Sequence, residues 1–124
     1  MRAMIVDDSK AMRAIIGRIV KGLGFEVSEA ADGQAALEKF TLDGPCELAL
    51  IDWNMPQMNG YELLQTLRAD PKYKDMRIVM ITTESAIAQI QEALQGGANE
   101  YLIKPFTAED LVAKLGMIGL ALPA

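Results

Sequence analysis

Five polar side chains carry the chemistry this chain can do, and each stands at the end of a short apolar run. Asp7 and Asp8 follow "AMIV", Asp52 follows "LALI", Thr82 closes "RIVMIT", and Lys104 closes "EYLIK". Ending one buried run on a charge costs several kcal/mol, on the order of an unmade ion pair, unless something compensates. Any one of these residues alone reads as a turn, a cap or a solvated end. Four run-ends carrying such groups point to one shared site.

Electrostatics narrows what that site holds. Two carboxylates about 4 Å apart repel by about 4 kcal/mol at an effective dielectric near 20. Three of them either take up a proton or recruit a cation. Oxygen ligands without nitrogen or sulfur select Mg²⁺, Mn²⁺ or Ca²⁺ rather than zinc. An ion with free coordination positions leaves room for an incoming phosphoryl group, which Lys104 would neutralise and the Thr82 hydroxyl would hydrogen-bond. Asp52 stands alone at its run-end, whereas Asp7 and Asp8 come as a chelating pair. Asp52 is therefore the candidate nucleophile, and its attack on phosphorus gives an acyl phosphate.

The elements that must position these groups follow from periodicity. A continuous apolar run predicts a strand buried on both faces at Ala3 to Val6, alternation predicts one at Phe25 to Ala30, and short runs predict three more at Glu47 to Ile51, Arg77 to Thr82 and Glu100 to Lys104. Between them helical spacing recurs: Met12, Ile15, Ile16, Ile19, Val20 and Leu23, then "ADGQAALEKF", then "YELLQTLR". A fourth helix is expected to carry Ile87, Ile90 and Leu94 on one side and to stop at Gly96-Gly97. A fifth opens at Thr107, with Asp110 in its first turn and Leu111, Leu115 and Ile118 inward. Strand alternating with helix predicts an α/β fold: a (βα)5 doubly wound five-stranded parallel sheet with helices on both faces. In such a sheet the C-terminal strand ends share one edge, where ligands bind.

Composition removes several classes. The 124 residues are 51% hydrophobic and 23% charged, which suits a single domain spanning 1–124. A net charge of -5 with no basic run argues against nucleic acid. There is no histidine, and the lone Cys46 reads as a small apolar residue near a strand start. Most of the eight methionines read as gap-fillers. No run reaches the roughly 20 apolar residues of a membrane span, so the cytoplasm is the expected location.

The motifs "IVDDS", "IDWNMPQMNG", "MITTES" and "YLIKPF" together resemble the receiver domain of two-component response regulators, in order and over essentially the whole chain. "DWNMP" resembles the stand-alone chemotaxis members most. The resemblance implies flavodoxin-like strand order 2-1-3-4-5 and phosphorylation of Asp52 by a histidine kinase of the CheA type or by small phosphodonors. It further implies Mg²⁺ bound by Asp8 and Asp52, by the Trp53 carbonyl, and by Asp7 chiefly through water. Thr82 and Lys104 would contact the phosphoryl group, with a cis Lys104–Pro105 bond, and Tyr101 would move inward as Thr82 does. Asn54 and Glu84 match positions that tune signal lifetime, and Thr83 stands where relatives often carry a small residue. The output face would be the fourth helix, fifth strand and fifth helix, binding a flagellar motor switch protein, and a monomer is expected.

Two other readings share these residues. One is a single-domain phosphorelay intermediate, a phosphate sink, or a receiver cut from a larger regulator. The other is a Mg²⁺-dependent phosphohydrolase working through an aspartyl phosphate. The second needs an acid two residues after the nucleophile, where this chain has Asn54. The chain is thus expected to catalyse only its own phosphorylation and slow dephosphorylation.

Overall fold

A computed structural model describes residues 1–83 and 87–120. Glu84 lies outside the described residues. Five parallel strands form one sheet: β1 (Arg2–Val6), β2 (Glu26–Ala30), β3 (Leu48–Asp52), β4 (Arg77–Thr82) and β5 (Glu100–Ile103). Their order is β2-β1-β3-β4-β5. The helices between and after them are α1 (Lys10–Gly22), α2 (Gly33–Asp43), α3 (Gly60–Arg68), α4 (Ile87–Gln95) and α5 (Ala108–Gly116), with a short 3-10 turn at Pro71–Tyr73.

The apolar strands are continuous because neighbouring residues serve opposite layers. Met4, Val6, Ala49, Ile51, Ile78 and Met80 enter one core with Phe40 of α2 and with Leu63, Leu64 and Leu67 of α3. Ala3, Ile5, Leu48, Leu50, Val79, Ile81 and Leu102 enter the other with Ile16 and Val20 of α1 and Leu111 and Leu115 of α5. Truncating one of these large side chains to alanine costs about 2–5 kcal/mol.

Helix starts are set by side chains that accept otherwise unpaired backbone N–H groups. Ser9 Oγ accepts from Met12 N–H at 3.2 Å and Asp32 Oδ1 from Ala35 N–H at 2.7 Å. Asn59 with Glu62, and Thr107 with Asp110, form reciprocal capping boxes. Ser9 and Thr107 lie a few residues past β1 and β5, so these caps also pin the loops that carry the site.

Two helix faces differ from what apolar spacing alone suggests. Among the described side chains of α4, Ala93 is buried, at 1% exposure, while Leu94 is 43% exposed and Ile90 only half-buried and outside both cores; the Ile87 side chain lies outside the described ones. On α1, Ile15 is likewise exposed. Strand bounds move by a residue: Asp52 is the last residue of β3, and Lys104 lies just beyond β5.

Candidate functional site

The crevice forms where the chain reverses its direction of growth across the sheet, with β2 on one side of β1 and β3 on the other. Parallel register levels the strand ends there. Val6 pairs with Ile51, Asp52 with Ile81, and Thr82 with Ile103. Backbone bonds continue the alignment past the strands: Trp53 N–H donates to the Ile81 carbonyl at 2.7 Å, and Lys104 N–H to the Thr82 carbonyl at 2.8 Å.

That levelling brings Asp7, Asp8 and Asp52 together, with one carboxylate oxygen from each within 4.8 Å of the others. Asp7 and Asp52 are buried, at 1% and 3% exposure, and Asp8 is exposed. The Lys104 ammonium bridges the buried pair, 3.1 Å from Asp7 Oδ2 and 3.4 Å from Asp52 Oδ1. Burial first, and then the Asp7 charge, push the Asp52 carboxyl above its ordinary value. The Lys104 charge and hydrogen bond, and the Asn54 N–H, pull against that rise. Three hard oxygen donors with one open side suit a small divalent cation and leave coordination positions to spare.

The turn after β3 is held tightly. Gly60 N–H donates to the Trp53 carbonyl at 2.9 Å, and a Cβ at Gly60 would lie 2.1 Å from the Asp52 carbonyl oxygen. Only glycine fits there. One lone pair of the Trp53 carbonyl is therefore committed to α3. The Trp53 ring is buried and stacks on Tyr61, with centroids 5.2 Å apart and planes 16° apart.

Thr82 is buried, and its hydroxyl donates to Gln89 Oε1 of α4 at 3.2 Å. Asn54 Nδ2 donates to Thr83 Oγ1 at 3.5 Å; both residues are exposed at the mouth of the site. Tyr101 is half-exposed, with the Lys114 ammonium 4.0 Å from its ring centroid. Lys104–Pro105 is cis. Cys46, on the β3 N-terminal side, is half-buried and donates to the Leu48 carbonyl at 3.1 Å.

Two contributors had no sequence signal. Arg13 of α1 donates through Nη1 to the Asp7 carbonyl at 2.6 Å and pairs through Nε with Glu29 at 3.0 Å, fixing the backbone of the first acid. Gln89 is the other. Both reach the site by helix rotation, which local spacing does not encode.

Comparison with known proteins agrees with this geometry. The response regulator receiver domain family matches residues 3–116. The chain is 43% identical over 119 residues to the chemotaxis protein CheY1 of Helicobacter pylori, covering 95% of this chain and 96% of that one. It is equally 43% identical over 119 residues to the chemotaxis protein CheY of Pseudomonas aeruginosa, covering 95% of each. Among solved structures, chemotaxis protein CheY4 of Vibrio cholerae superposes with a TM-score of 0.87 at 35% identity, covering 94% of this chain and 97% of that one.

Proposed function

The chain belongs to the response regulator receiver domain family, and we propose that it is a phosphorylation-controlled signalling switch with Asp52 as phosphoacceptor. The observation that carries this reading is the buried Asp52 carboxylate, flanked by two further acids and by the Lys104 ammonium, at the crevice of the sheet. In the reaction an Asp52 oxygen forms a bond to phosphorus. The bond from phosphorus to the donor atom breaks, that atom being the nitrogen of a phosphohistidine or the oxygen of a small acyl phosphate. The leaving group departs with the electron pair.

Lys104, already 3.4 Å from Asp52, is placed to balance the charge that the phosphoryl oxygens bring. Thr82, next to the Ile81 that pairs with Asp52 across the sheet, would supply a hydroxyl donor. Asp8 and Asp52 would hold Mg²⁺ directly and Asp7 chiefly through water, while Trp53 has one carbonyl lone pair left to offer. Mg²⁺ bound there would offset the acid charge and orient the phosphoryl oxygens. Asn54, joined to Thr83 Oγ1 at the mouth of the site, would tune signal lifetime, as would Glu84 by its sequence position.

The chemotaxis names of the relatives support a role for the switch in chemotaxis. A CheA-type histidine kinase would supply the phosphoryl group. The phosphorylated form would bind a flagellar motor switch protein through α4, β5 and α5, with Tyr101 turning inward as Thr82 is drawn to the phosphoryl group. We place the chain in the cytoplasm; no helix among the described residues is long and apolar enough to cross a membrane.

Trp53, next to Asp52, makes the reading testable. Mg²⁺ should change its fluorescence, and acetyl phosphate with Mg²⁺ should change it further while adding one phosphoryl group to the intact mass. A folded wild-type chain that shows neither response overturns the assignment. Pull-down of the phosphorylated form with motor switch protein, against histidine phosphotransfer proteins, tests the chemotaxis output.

A further inference from the structure

We propose that Gln89 is a positioning residue that competes with the phosphoryl group for the Thr82 hydroxyl proton, tying the first turn of α4 to the state of Asp52. The inference rests on the receiver reading above and adds to it a residue of α4 that opposes phosphorylation. Its basis is the bond from Thr82 Oγ1 to Gln89 Oε1 at 3.2 Å.

A hydroxyl carries one proton. In the structure that proton goes to a neutral amide oxygen at a distance longer than the usual O–H···O separation of about 2.7–2.8 Å. A phosphoryl oxygen on Asp52 is a charged acceptor, and bonds to charged acceptors are roughly twice as strong as neutral ones. The exchange therefore runs toward the phosphoryl group once it arrives, and Gln89 loses its bond.

That loss matters because of where Gln89 sits. It is the third residue of α4, and Ala93 is the α4 side chain that enters the core among those described. Leu94 is exposed and Ile90 half-buried. The Thr82 bond joins the first turn of α4 directly to the strand end at the site, so its loss changes what that turn is tied to. Coupling of this kind is reciprocal: a partner that binds α4 with Gln89 turned away from Thr82 favours phosphorylation by the same factor.

The test uses the full chain and acetyl phosphate with Mg²⁺, with the phosphorylated fraction read from intact mass. Gln89→Leu removes the acceptor and should lower the half-saturating acetyl phosphate concentration by on the order of fivefold. Gln89→Glu supplies a charged acceptor and no donor, so it should raise that concentration. If the amide nitrogen were the contacting atom, the glutamate variant would instead shift in the same direction as leucine, which overturns the proposal. In a Thr82→Ala background, Gln89→Leu should have no effect, since no proton is left to compete for. An unchanged half-saturation in Gln89→Leu, or an equal shift with and without Thr82, also overturns it. If the wild type takes up no phosphoryl group, or Asp52→Asn still does, the receiver reading itself fails, and this inference fails with it.

Discussion

Lys104 and Asp7, 97 positions apart in the chain, meet at 3.1 Å, and the same ammonium lies 3.4 Å from Asp52. One cation therefore serves two buried carboxylates. It stands in the neighbourhood that a divalent ion would occupy, so the two positive charges oppose one another through the acids they share.

Lys104→Met should accordingly tighten Mg²⁺ binding, by about three- to tenfold, because the acids keep their charge and lose their internal partner. The same variant should be slow to take up a phosphoryl group. Trp53 fluorescence titrated with Mg²⁺ measures the first effect and intact mass after acetyl phosphate the second. Weaker Mg²⁺ binding in the variant would show that Lys104 organises the acids rather than competing for them.

Asp52→Asn should abolish phosphorylation and, without metal, raise stability at neutral pH by on the order of 1–3 kcal/mol. The sign follows from the raised carboxyl of Asp52. The folded state keeps this proton to higher pH than the unfolded chain does. Ionisation therefore lowers stability as pH rises from the ordinary aspartate value through the raised one, and the full penalty stands above it. Below the ordinary value both states are protonated, and the variant's advantage should vanish. Urea midpoints in chelator across that range measure it, and a variant no more stable at neutral pH would contradict the stated cause.

Arg68 ties α3 to the segment before β4 and to the loop before β5 through one guanidinium. It donates to the carbonyls of Tyr73 and Met76 at 2.7 Å each, to that of Gly97 at 2.9 Å, and to Asn99 Oδ1 at 2.9 Å. Arg68→Ala should cost about 2–4 kcal/mol, since several acceptors lose their donor together. Arg68→Lys should recover little, because an ammonium cannot reproduce the planar fork. Urea denaturation of both variants decides it, with full recovery by lysine counting against the geometric argument.

Cys46 should be a slow thiol. Burial pushes it up to about 11, against the pull of the Leu48 carbonyl contact and the Arg2 charge. At pH 8 its alkylation by iodoacetamide should run on the order of a hundredfold slower than that of an exposed cysteine, and speed up on unfolding. The unfolded chain loses the proton first, so this group withdraws stability as pH climbs from about 8.5 toward 11. Rapid labelling of the native chain at pH 8 would contradict the burial.

Much of the site was legible before any coordinates. Asp7, Asp8, Asp52, Thr82 and Lys104 each close an apolar run, and parallel strands must bring such ends to one edge. The α1 and α5 inward faces were legible too, since Ile16, Val20, Leu111 and Leu115 repeat at helical spacing and all are buried. α4 was not: Ile90, Ala93 and Leu94 offer two apolar faces, and periodicity cannot choose between them.

The order of residue types along the chain determined which groups gather and at which edge, because a strand's direction and its period of two are local properties. Only the tertiary structure decided how those groups are held. Arg13 reaches the Asp7 carbonyl, Gln89 reaches Thr82, and Leu94 faces outward, each because of how its helix is rotated about its axis against the sheet. That rotation depends on the shape of the surface beneath the helix, which residues distant in sequence build.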